Sequence, residues 1–191
     1  GTITSDTAVA VVEGKLKAWN ALQYERVGLN LRPELVALKD VNGDGVAFAT
    51  LAKLIAETSE FNLILMSESA DIISGAVATA GFKRPLIYAA TAATADTFGK
   101  IALDNDLPLA VKADSIDGLI ALTDKLVGMG LKDLVLDPGS REIKQALEDQ
   151  VAIRRAALKA GNRSLGFPTI TFPCEMASNI ATEGLIASMF V

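Results

Sequence analysis

The chain has 191 residues, of which 50% are apolar and 21% charged, so it is not a disordered polypeptide and can bury a sizeable core. Its net charge of −5, from 18 basic and 23 acidic side chains, gives no electrostatic case for binding nucleic acid or an anionic membrane. The chain has no histidine, which excludes Ser-His and Cys-His nucleophile pairs and histidine metal ligands.

Short apolar runs recur along the chain at a steady interval. Most of them are continuous rather than alternating, which predicts strands that are buried on both faces, as in a parallel sheet. The predicted strands are TIT (2–4, a stub), LVALK (35–39), NLILM (62–66), PLIYA (85–89), PLAVK (108–112), LVLD (134–137) and PTITF (168–172).

Helical patterns with start signals lie between these runs. Asp6 is predicted to open the first helix, and residues 176–190 are predicted to form the last one. The other helices are predicted to begin after a side chain whose oxygen accepts a free N–H of the first turn. These predicted caps are Asp44, Ser69, Thr94, Ser115 and Ser140.

A strand followed by a helix, about seven times over, predicts an α/β fold with right-handed crossovers. The chain has no Pro/Ser-rich linker, so residues 1–191 are predicted to form one domain. An eight-unit barrel normally needs at least about 200 residues. The predicted fold is therefore a (β/α)8 TIM barrel, truncated to about seven βα units with its last strand missing. An open doubly wound sheet is the alternative, although the first strand is not followed by GxGxxG.

The stretch DVNGDG (40–45) is spelled like the start of a calcium loop, with oxygen side chains at positions 1, 3 and 5 and Gly at position 6. Positions 9 and 12 of such a loop would be Phe48 and Leu51, which offer no oxygen. The favoured interpretation is a strand-to-helix loop, in which the Asn-Gly pair turns and Asp44 caps the helix. Asp40 remains a candidate site residue because the turn does not account for it.

Lys112 ends a predicted strand, and a lysine on a barrel strand can form a Schiff base in a desolvated site. The residues whose chemistry best suits an acid or base partner for this lysine are Asp114 and Asp137. The structural alternative is an exposed or paired lysine at the end of the strand. The two interpretations are left open.

The stretch LVLDPGSRE (134–142) is the best-formed loop of the sequence. Asp137 stands where the strand ends, Gly139 belongs to the turn, and Ser140 is predicted to cap the next helix. Barrels keep their chemistry at this end of their strands, and a helix N-terminus behind a glycine can bind an anion. Turn formation and capping nevertheless already account for each of these residues.

The cysteine content and the apolar runs predict a cytoplasmic protein. Cys174, the one cysteine, cannot form a disulfide within the chain, and no CxxC or other metal-ligand spacing occurs. With no histidine to activate it, Cys174 is expected to be buried or incidental. No apolar run approaches the roughly 18 residues of a membrane span, and the N-terminus lacks the features of a signal peptide. We therefore expect no membrane and no nucleic acid among its partners.

Several runs of the sequence, taken in order, resemble a known family. They are YERVG (24–28), NLILM (62–66), PLIYAAT (85–91), PLAV (108–111), LVLDPGSRE (134–142), AIRRAALK (152–159) and LGFPTI (165–170). Together they resemble the large (gamma) subunit of the corrinoid iron–sulfur protein. That protein belongs to the carbon monoxide dehydrogenase/acetyl-CoA synthase system of anaerobic bacteria and archaea. The resemblance covers essentially the whole chain.

The resemblance implies a large subunit with an iron–sulfur domain, a central TIM barrel and a corrinoid-binding domain. This chain is similar to the central barrel alone, and the iron–sulfur and corrinoid-binding domains are expected to be absent from it. One cysteine cannot supply the four ligands of a 4Fe-4S cluster. No cofactor is therefore expected in this piece, whereas the resemblance implies cobalamin and a 4Fe-4S cluster for the intact protein.

The resemblance also implies a function, namely carriage of a methyl group on cobalt in carbon fixation by the reductive acetyl-CoA pathway. The methyl group would come from methyl-tetrahydropterin through a methyltransferase and pass to acetyl-CoA synthase. The barrel would be a scaffold that forms a heterodimer with the small subunit. The alternative is a free-standing TIM-barrel lyase or aldolase that uses Lys112 as a Schiff base. No catalytic residue of the family falls on a motif here, so the site candidates are the barrel-mouth residues Asp40, Thr91, Lys112, Asp137, Gly139 and Ser140.

Overall fold

The computed structural model describes residues 1–80 and 84–190, in which strands and helices alternate. The described strands are β1 (Thr2–Thr4), β2 (Tyr24–Arg26), β3 (Leu29–Leu31), β4 (Leu35–Lys39), β5 (Asn62–Met66), β6 (Leu86–Ala90), β7 (Leu109–Lys112) and β8 (Leu134–Asp137). The described helices are α1 (Val9–Asn20), α2 (Gly45–Thr58), α3 (Ala70–Ala80), α4 (Ala95–Asp104), α5 (Ile116–Gly128), α6 (Ile143–Lys159), α7 (Pro173–Met176) and α8 (Ile180–Met189). None of these described helices is both long and apolar enough to cross a membrane.

The chain has the predicted α/β fold of the truncated TIM-barrel type, since six of the described strands are parallel and alternate with helices. Strands β1, β4, β5 and β8 have the predicted bounds. Strands β6 and β7 begin one residue later than predicted, after Pro85 and Pro108. Proline has no N–H to donate to a strand ladder, which explains the later start.

The first of two compact units holds the described residues of Gly1–Ala89 together with Asp104–Pro108. Its parallel strands lie in the order β1, β4, β5, β6, and α2 packs against α3. Each large side chain that is fully buried contributes about 1.5–3 kcal/mol relative to exposure. The largest buried side chains of this unit are Ile3, Leu38, Phe48, Ile55, Leu65, Ile73 and Ile87.

The second compact unit holds Ala90–Leu103 and the described residues from Leu109 onward. Strands β7 and β8 are parallel, so that Leu109 lies opposite Leu134 and Lys112 lies opposite Asp137. Helix α5 packs on both strands. The largest buried side chains of this unit are Phe98, Leu109, Leu119, Leu126 and Leu134.

The predicted strand at 168–172 is reduced to a single bridge, so this prediction was wrong in its extent. Leu136 N donates to Pro168 O at 2.7 Å, and Ile170 N donates to Leu136 O at 2.9 Å. Thr169 is the bridging residue. The ladder stops there because α7 begins at Pro173, whose fixed φ suits the first turn of a helix but not a central strand.

A β-hairpin formed by β2 and β3 has no counterpart among the predicted elements. Its turn residues Val27 and Gly28 have φ of 51° and 76°. Positive φ at both central positions is typical of a type I′ turn, which normally carries Asn, Asp or Gly. Valine at the first position hides that signal, so the sequence did not reveal the hairpin.

Two predicted helix caps are confirmed. Asp44 Oδ1 accepts from Val46 N and Ala47 N, both at 3.0 Å, at the start of α2. Ser115 Oγ accepts from Gly118 N at 3.1 Å at the start of α5. Both residues have extended backbone, as an N-cap requires.

Two predicted helix starts are wrong. The residue before α1 is Ala8, which has no side-chain cap, so Asp6 does not open that helix. The last predicted helix, 176–190, begins only at Ile180 as α8, where Asn179 accepts from Thr182 N at 2.9 Å, and Met176 instead ends the separate short helix α7. The asparagine cap interrupts the helix because its own backbone is extended.

Replacing Asp44 with Ala should lower the free energy of unfolding by about 1 kcal/mol, because two N–H groups of α2 lose their acceptor. Urea unfolding followed by circular dichroism measures the change. Asp6→Ala is the matched control, and it should change stability by less than about 0.5 kcal/mol because Asp6 is exposed and caps no helix. Equal effects of the two substitutions would contradict the assignment of the cap.

Candidate functional site

Polar side chains follow three neighbouring parallel strands of the first unit. Ser5 comes after β1, Asp40 after β4 and Ser67 after β5, so the strand order brings them to one edge of the sheet. Ser67 Oγ donates to Asp40 Oδ2 at 2.9 Å, and Ser5 Oγ donates to Asn42 Oδ1 at 2.7 Å. We call Ser5, Asp40, Asn42 and Ser67 the Asp40 cluster.

The Asp40 cluster gives a structural role to Asp40, which the turn itself does not account for. Asp40 Oδ1 accepts from Gly43 N at 2.9 Å, so that both carboxylate oxygens have a donor. Ser5 and Ser67 are 3% and 8% exposed. Neither serine was among the predicted site residues, although each stands directly after a predicted strand, and that position was the signal that could have identified it. Asp40 therefore ties the ends of neighbouring strands together.

The loop interpretation of DVNGDG is confirmed. Gly43 has φ of 70°, a conformation that suits a glycine in a turn, and Asp44 caps α2. Asn42 Oδ1 accepts from Asp44 N at 3.2 Å in addition to Ser5. The oxygens that a calcium ion would need thus accept hydrogen bonds from the loop and its neighbours.

Thr91, in the second unit, takes part in starting α4. Its N–H donates to Thr94 Oγ1 at 2.9 Å, the two hydroxyl oxygens are 3.1 Å apart, and its carbonyl accepts from Ala95 N at 2.9 Å. The predicted cap Thr94 therefore points back to Thr91. These local hydrogen bonds give Thr91 a structural role at the end of β6.

Asp137 is the most buried of the candidate residues, with 1% exposure. Arg141 holds its carboxylate through two hydrogen bonds, from Nη1 to Oδ1 at 3.1 Å and from Nη2 to Oδ2 at 2.8 Å. Gly139 N donates to the same Oδ1 at 2.8 Å. A buried carboxylate needs such partners, because an unpaired charge would cost several kcal/mol.

Arg141 also holds the segment 172–176. Its Nε donates to Glu175, and its guanidinium carbon lies 4.9 Å from the centre of the Phe172 ring. Such a cation–π contact contributes about 0.5–1 kcal/mol at an accessible site. Arg141 was not among the predicted site residues. Its position four residues after Asp137 was the sequence feature that could have identified it. Arg141 therefore clamps this segment to the end of β8.

The prediction that Ser140 caps the next helix is wrong. Helix α6 starts after Glu142, which has no side-chain cap, and Ser140 Oγ donates to Asp149. Gln145 Nε2 donates to the other oxygen of Asp149 at 2.9 Å. A hydroxyl bonded to a carboxylate makes a stronger hydrogen bond than one bonded to a neutral group, which explains why the serine turns to Asp149.

A surface cleft of about 480 Å³ lies between the loops after β7 and β8. Gly139 sits in its wall with φ of 76°, and a Cβ there would lie 2.8 Å from the carbonyl oxygen of Ala113, so the close approach requires glycine. Asp114, Asp117 and Asp149 line the cleft, and its described lining has no Lys or Arg. The negative charge of these carboxylates argues against the anion-binding site that the sequence suggested for this loop.

Lys112 ends β7 opposite Asp137, but the Asp137 carboxylate is already engaged by Arg141. Asp137 therefore cannot serve as a free acid or base for a Schiff-base lysine. Within residues 1–80 and 84–190, no group of three or more His, Cys, Asp and Glu side chains could hold a metal ion.

Cys174 is exposed, so of the two expected alternatives, buried or incidental, the first is wrong. Partial desolvation, followed by the charges of Glu183 and Glu175, raises the pKa of its thiol. A raised pKa favours the protonated form, which is the weaker nucleophile. Cys174 therefore has the environment of an unreactive thiol.

The fold and these strand-end clusters define a βα-repeat protein of the TIM-barrel type in which polar side chains bind the loops that follow the strands. A family model described as CO dehydrogenase/acetyl-CoA synthase delta subunit matches residues 4–188. The chain belongs to this family.

Relatives of this chain are gamma or large subunits of the same system. The corrinoid/iron-sulfur protein large subunit of Moorella thermoacetica is 36% identical over 180 residues, which are 94% of this chain and 40% of that protein. The acetyl-CoA decarbonylase/synthase complex subunit gamma 2 of Methanosarcina mazei is 33% identical over 169 residues, 86% of this chain and 36% of that protein. The resemblance seen in the sequence is confirmed, and the chain spans about two fifths of the length of these relatives.

Arg141→Met should lower the free energy of unfolding by about 3–5 kcal/mol, because it removes the cation that neutralises the buried Asp137 carboxylate. Urea unfolding measures the change. Lys144→Met is the matched control, since Lys144 is exposed and lies 3.9 Å from Glu148, and it should cost less than about 1 kcal/mol. A loss below about 1 kcal/mol for Arg141→Met would show that the pair does not hold the loop.

Ser5→Ala should lower the free energy of unfolding by about 1–3 kcal/mol. The Val41 N–H loses an acceptor at 3.1 Å, and Asn42 Oδ1 loses the donor at 2.7 Å. Thermal and urea unfolding measure the loss, with Ser178→Ala at an exposed site as the control. If both variants unfold like the parent chain, the Asp40 cluster does not stabilise the first unit.

Proposed function

We propose that this chain is the scaffold barrel of a corrinoid iron–sulfur protein that carries a methyl group from methyl-tetrahydropterin to acetyl-CoA synthase. The observation that carries the proposal is the 36% identity to the Moorella thermoacetica large subunit across 94% of this chain. The chain covers 40% of that relative, and in this proposal the methyl transfer is carried out by a longer protein in which the barrel is the framework.

The use of the strand-end side chains supports a scaffold role. Both oxygens of Asp40 and both oxygens of Asp137 accept hydrogen bonds from the loops and strand ends around them. Each of these hydrogen bonds ties a carboxylate to a neighbouring loop or strand end. These two residues thus hold loops in place, which is the work of a framework.

The residues of this chain do not fit the iron–sulfur cluster of the proposed protein. A 4Fe-4S cluster takes four cysteine ligands, and the chain has one cysteine. We propose that other parts of the longer protein hold the cluster and the cobalamin.

The partners in this proposal are the small subunit, in a heterodimer, the methyl-tetrahydropterin methyltransferase and acetyl-CoA synthase. Support comes from the relatives, which are named as subunits of the acetyl-CoA decarbonylase/synthase complex. The reductive acetyl-CoA pathway of an anaerobe would be the setting, with the protein in the cytoplasm. The lyase or aldolase alternative is not proposed, because Asp137 is not free to assist Lys112.

The purified chain, incubated without oxygen with hydroxocobalamin and then desalted, should show no visible corrinoid absorption, because in this proposal another part of the longer protein holds the group. The Moorella thermoacetica large subunit, treated in the same way, is the positive control. The chain should still bind the small subunit of the corrinoid iron–sulfur protein, which co-elution on gel filtration measures.

Retention of cobalamin in a fixed ratio to this chain would contradict the scaffold role. Failure to bind the small subunit, with the chain folded by circular dichroism, would contradict the placement of the barrel in that complex.

A further inference from the structure

The pair Asn42-Gly43 has a reactive sequence in addition to its role in the turn. Asn42 is the one asparagine of the chain that is followed by glycine. A backbone nitrogen that follows asparagine can attack the side-chain carbonyl carbon and close a five-membered ring, and glycine has no Cβ to obstruct that approach. Both residues are exposed, so water reaches the pair.

The nucleophile of this reaction is the Gly43 nitrogen, which must lose its proton as it attacks. Gly43 N–H donates to Asp40 Oδ1 at 2.9 Å. This separation lies within the range of about 2.6–3.2 Å in which a side chain can act as a general base. Ser67 Oγ donates to the other carboxylate oxygen at 2.9 Å and so orients the carboxylate. Asp40 is therefore positioned to take the proton.

The electrophile is the side-chain carbonyl of Asn42, whose oxygen becomes negative when the carbon is attacked. Ser5 Oγ donates to this Oδ1 at 2.7 Å, and Asp44 N donates to it at 3.2 Å. Donors in such positions stabilise a developing oxyanion. The leaving group is Asn42 Nδ2, which has no hydrogen-bond partner within residues 1–80 and 84–190. The nitrogen that must depart is therefore not held by the loop.

We propose that Asn42 is a self-modification site, at which the loop converts asparagine to aspartate and isoaspartate. The Gly43 nitrogen forms a bond to Asn42 Cγ while its proton passes to the Asp40 carboxylate. The bond from Cγ to Nδ2 then breaks, Asp40 returns the proton to that nitrogen, and ammonia leaves a succinimide ring behind. Water opens the ring at either of its carbonyl groups. No oxidant or reductant takes part.

The products change the loop between β4 and α2. Aspartate at position 42 adds a negative charge between Asp40 and Asp44, and isoaspartate also adds a methylene group to the backbone ahead of α2. The proposal is independent of the methyl-carrier function, since it rests on the hydrogen bonds that the Asp40 cluster makes to the reacting atoms.

The first test compares the folded chain with an unstructured one. The whole chain and a synthetic peptide of residues 40–53 are incubated at physiological pH and temperature in water labelled with heavy oxygen. Peptide mapping by mass spectrometry then follows the label at residue 42 and separates aspartate from isoaspartate. The folded chain should react at least about tenfold faster than the peptide and give both products. A folded chain that reacts no faster than the peptide would overturn the proposal.

Two variants test the groups that assist the reaction. Asp40→Asn keeps an oxygen for the Gly43 N–H but removes the base, so it should slow the reaction at least about tenfold. Ser5→Ala removes a donor to Oδ1 and should slow it at least about fivefold. Asp71→Asn is the matched control, because it removes the same charge from an exposed site in α3, and it should leave the rate within about twofold. Equal rates for Asp40→Asn and Asp71→Asn, with both chains folded by circular dichroism, would overturn the proposal.

Asp44→Asn provides a comparison within one molecule. It creates a second Asn-Gly pair in the same loop, and the new side chain keeps an oxygen to cap α2. The Gly45 N–H has no carboxylate acceptor within the part of the chain that the structure describes. The amide at position 44 should therefore react at least about fivefold more slowly than Asn42 in the same sample. Equal rates at the two positions would show that the local sequence alone sets the rate, and the proposal would be wrong.

Discussion

A carboxylate that ends a buried parallel strand must be neutralised or hydrogen-bonded, and in the second unit this requirement organises the loops. Asp137 is 1% exposed and is held by the Arg141 fork and by Gly139 N. The glycine can donate because φ of 76° turns its N–H toward the carboxylate. Once the guanidinium is fixed, its Nε and its face remain available. The Nε donates to Glu175, and the face packs on the Phe172 ring. One buried charge thus determines the turn after β8 and the position of the segment 172–176.

The first unit meets the same requirement without a cation. Asp40 is only partly buried, and Ser67, Gly43 and, more weakly, Ser5 donate to it. Neutral donors suffice there because solvent still screens part of the charge. In both units the carboxylate joins segments that are distant in sequence. The end of the strands that often holds chemistry in barrels is here occupied by internal hydrogen bonds, in agreement with the proposed scaffold role.

The features that the sequence predicted are those determined by neighbours in the chain. Continuous apolar runs gave β4, β5 and β8, and the caps Asp44 and Ser115 are local hydrogen bonds over two or three residues. The failures are features decided at longer range. Ser140 fails as a cap because Asp149 competes for its hydroxyl from the second turn of α6. The strand at 168–172 is short because α7 follows it, and the clamp by Arg141 joins residues 34 positions apart. Neither partner of such a pair carries a local signal.

Helix α6 contributes to two clefts of the second unit and gives them opposite charge. Asp149 lines the cleft after β7 and β8, whereas Arg154 and Arg155 line a cleft beside Thr169. Burial of Ile153 fixes the rotation of α6, and that rotation brings the two arginines to the cleft beside Thr169. The positive charge of this cleft is therefore a consequence of core packing.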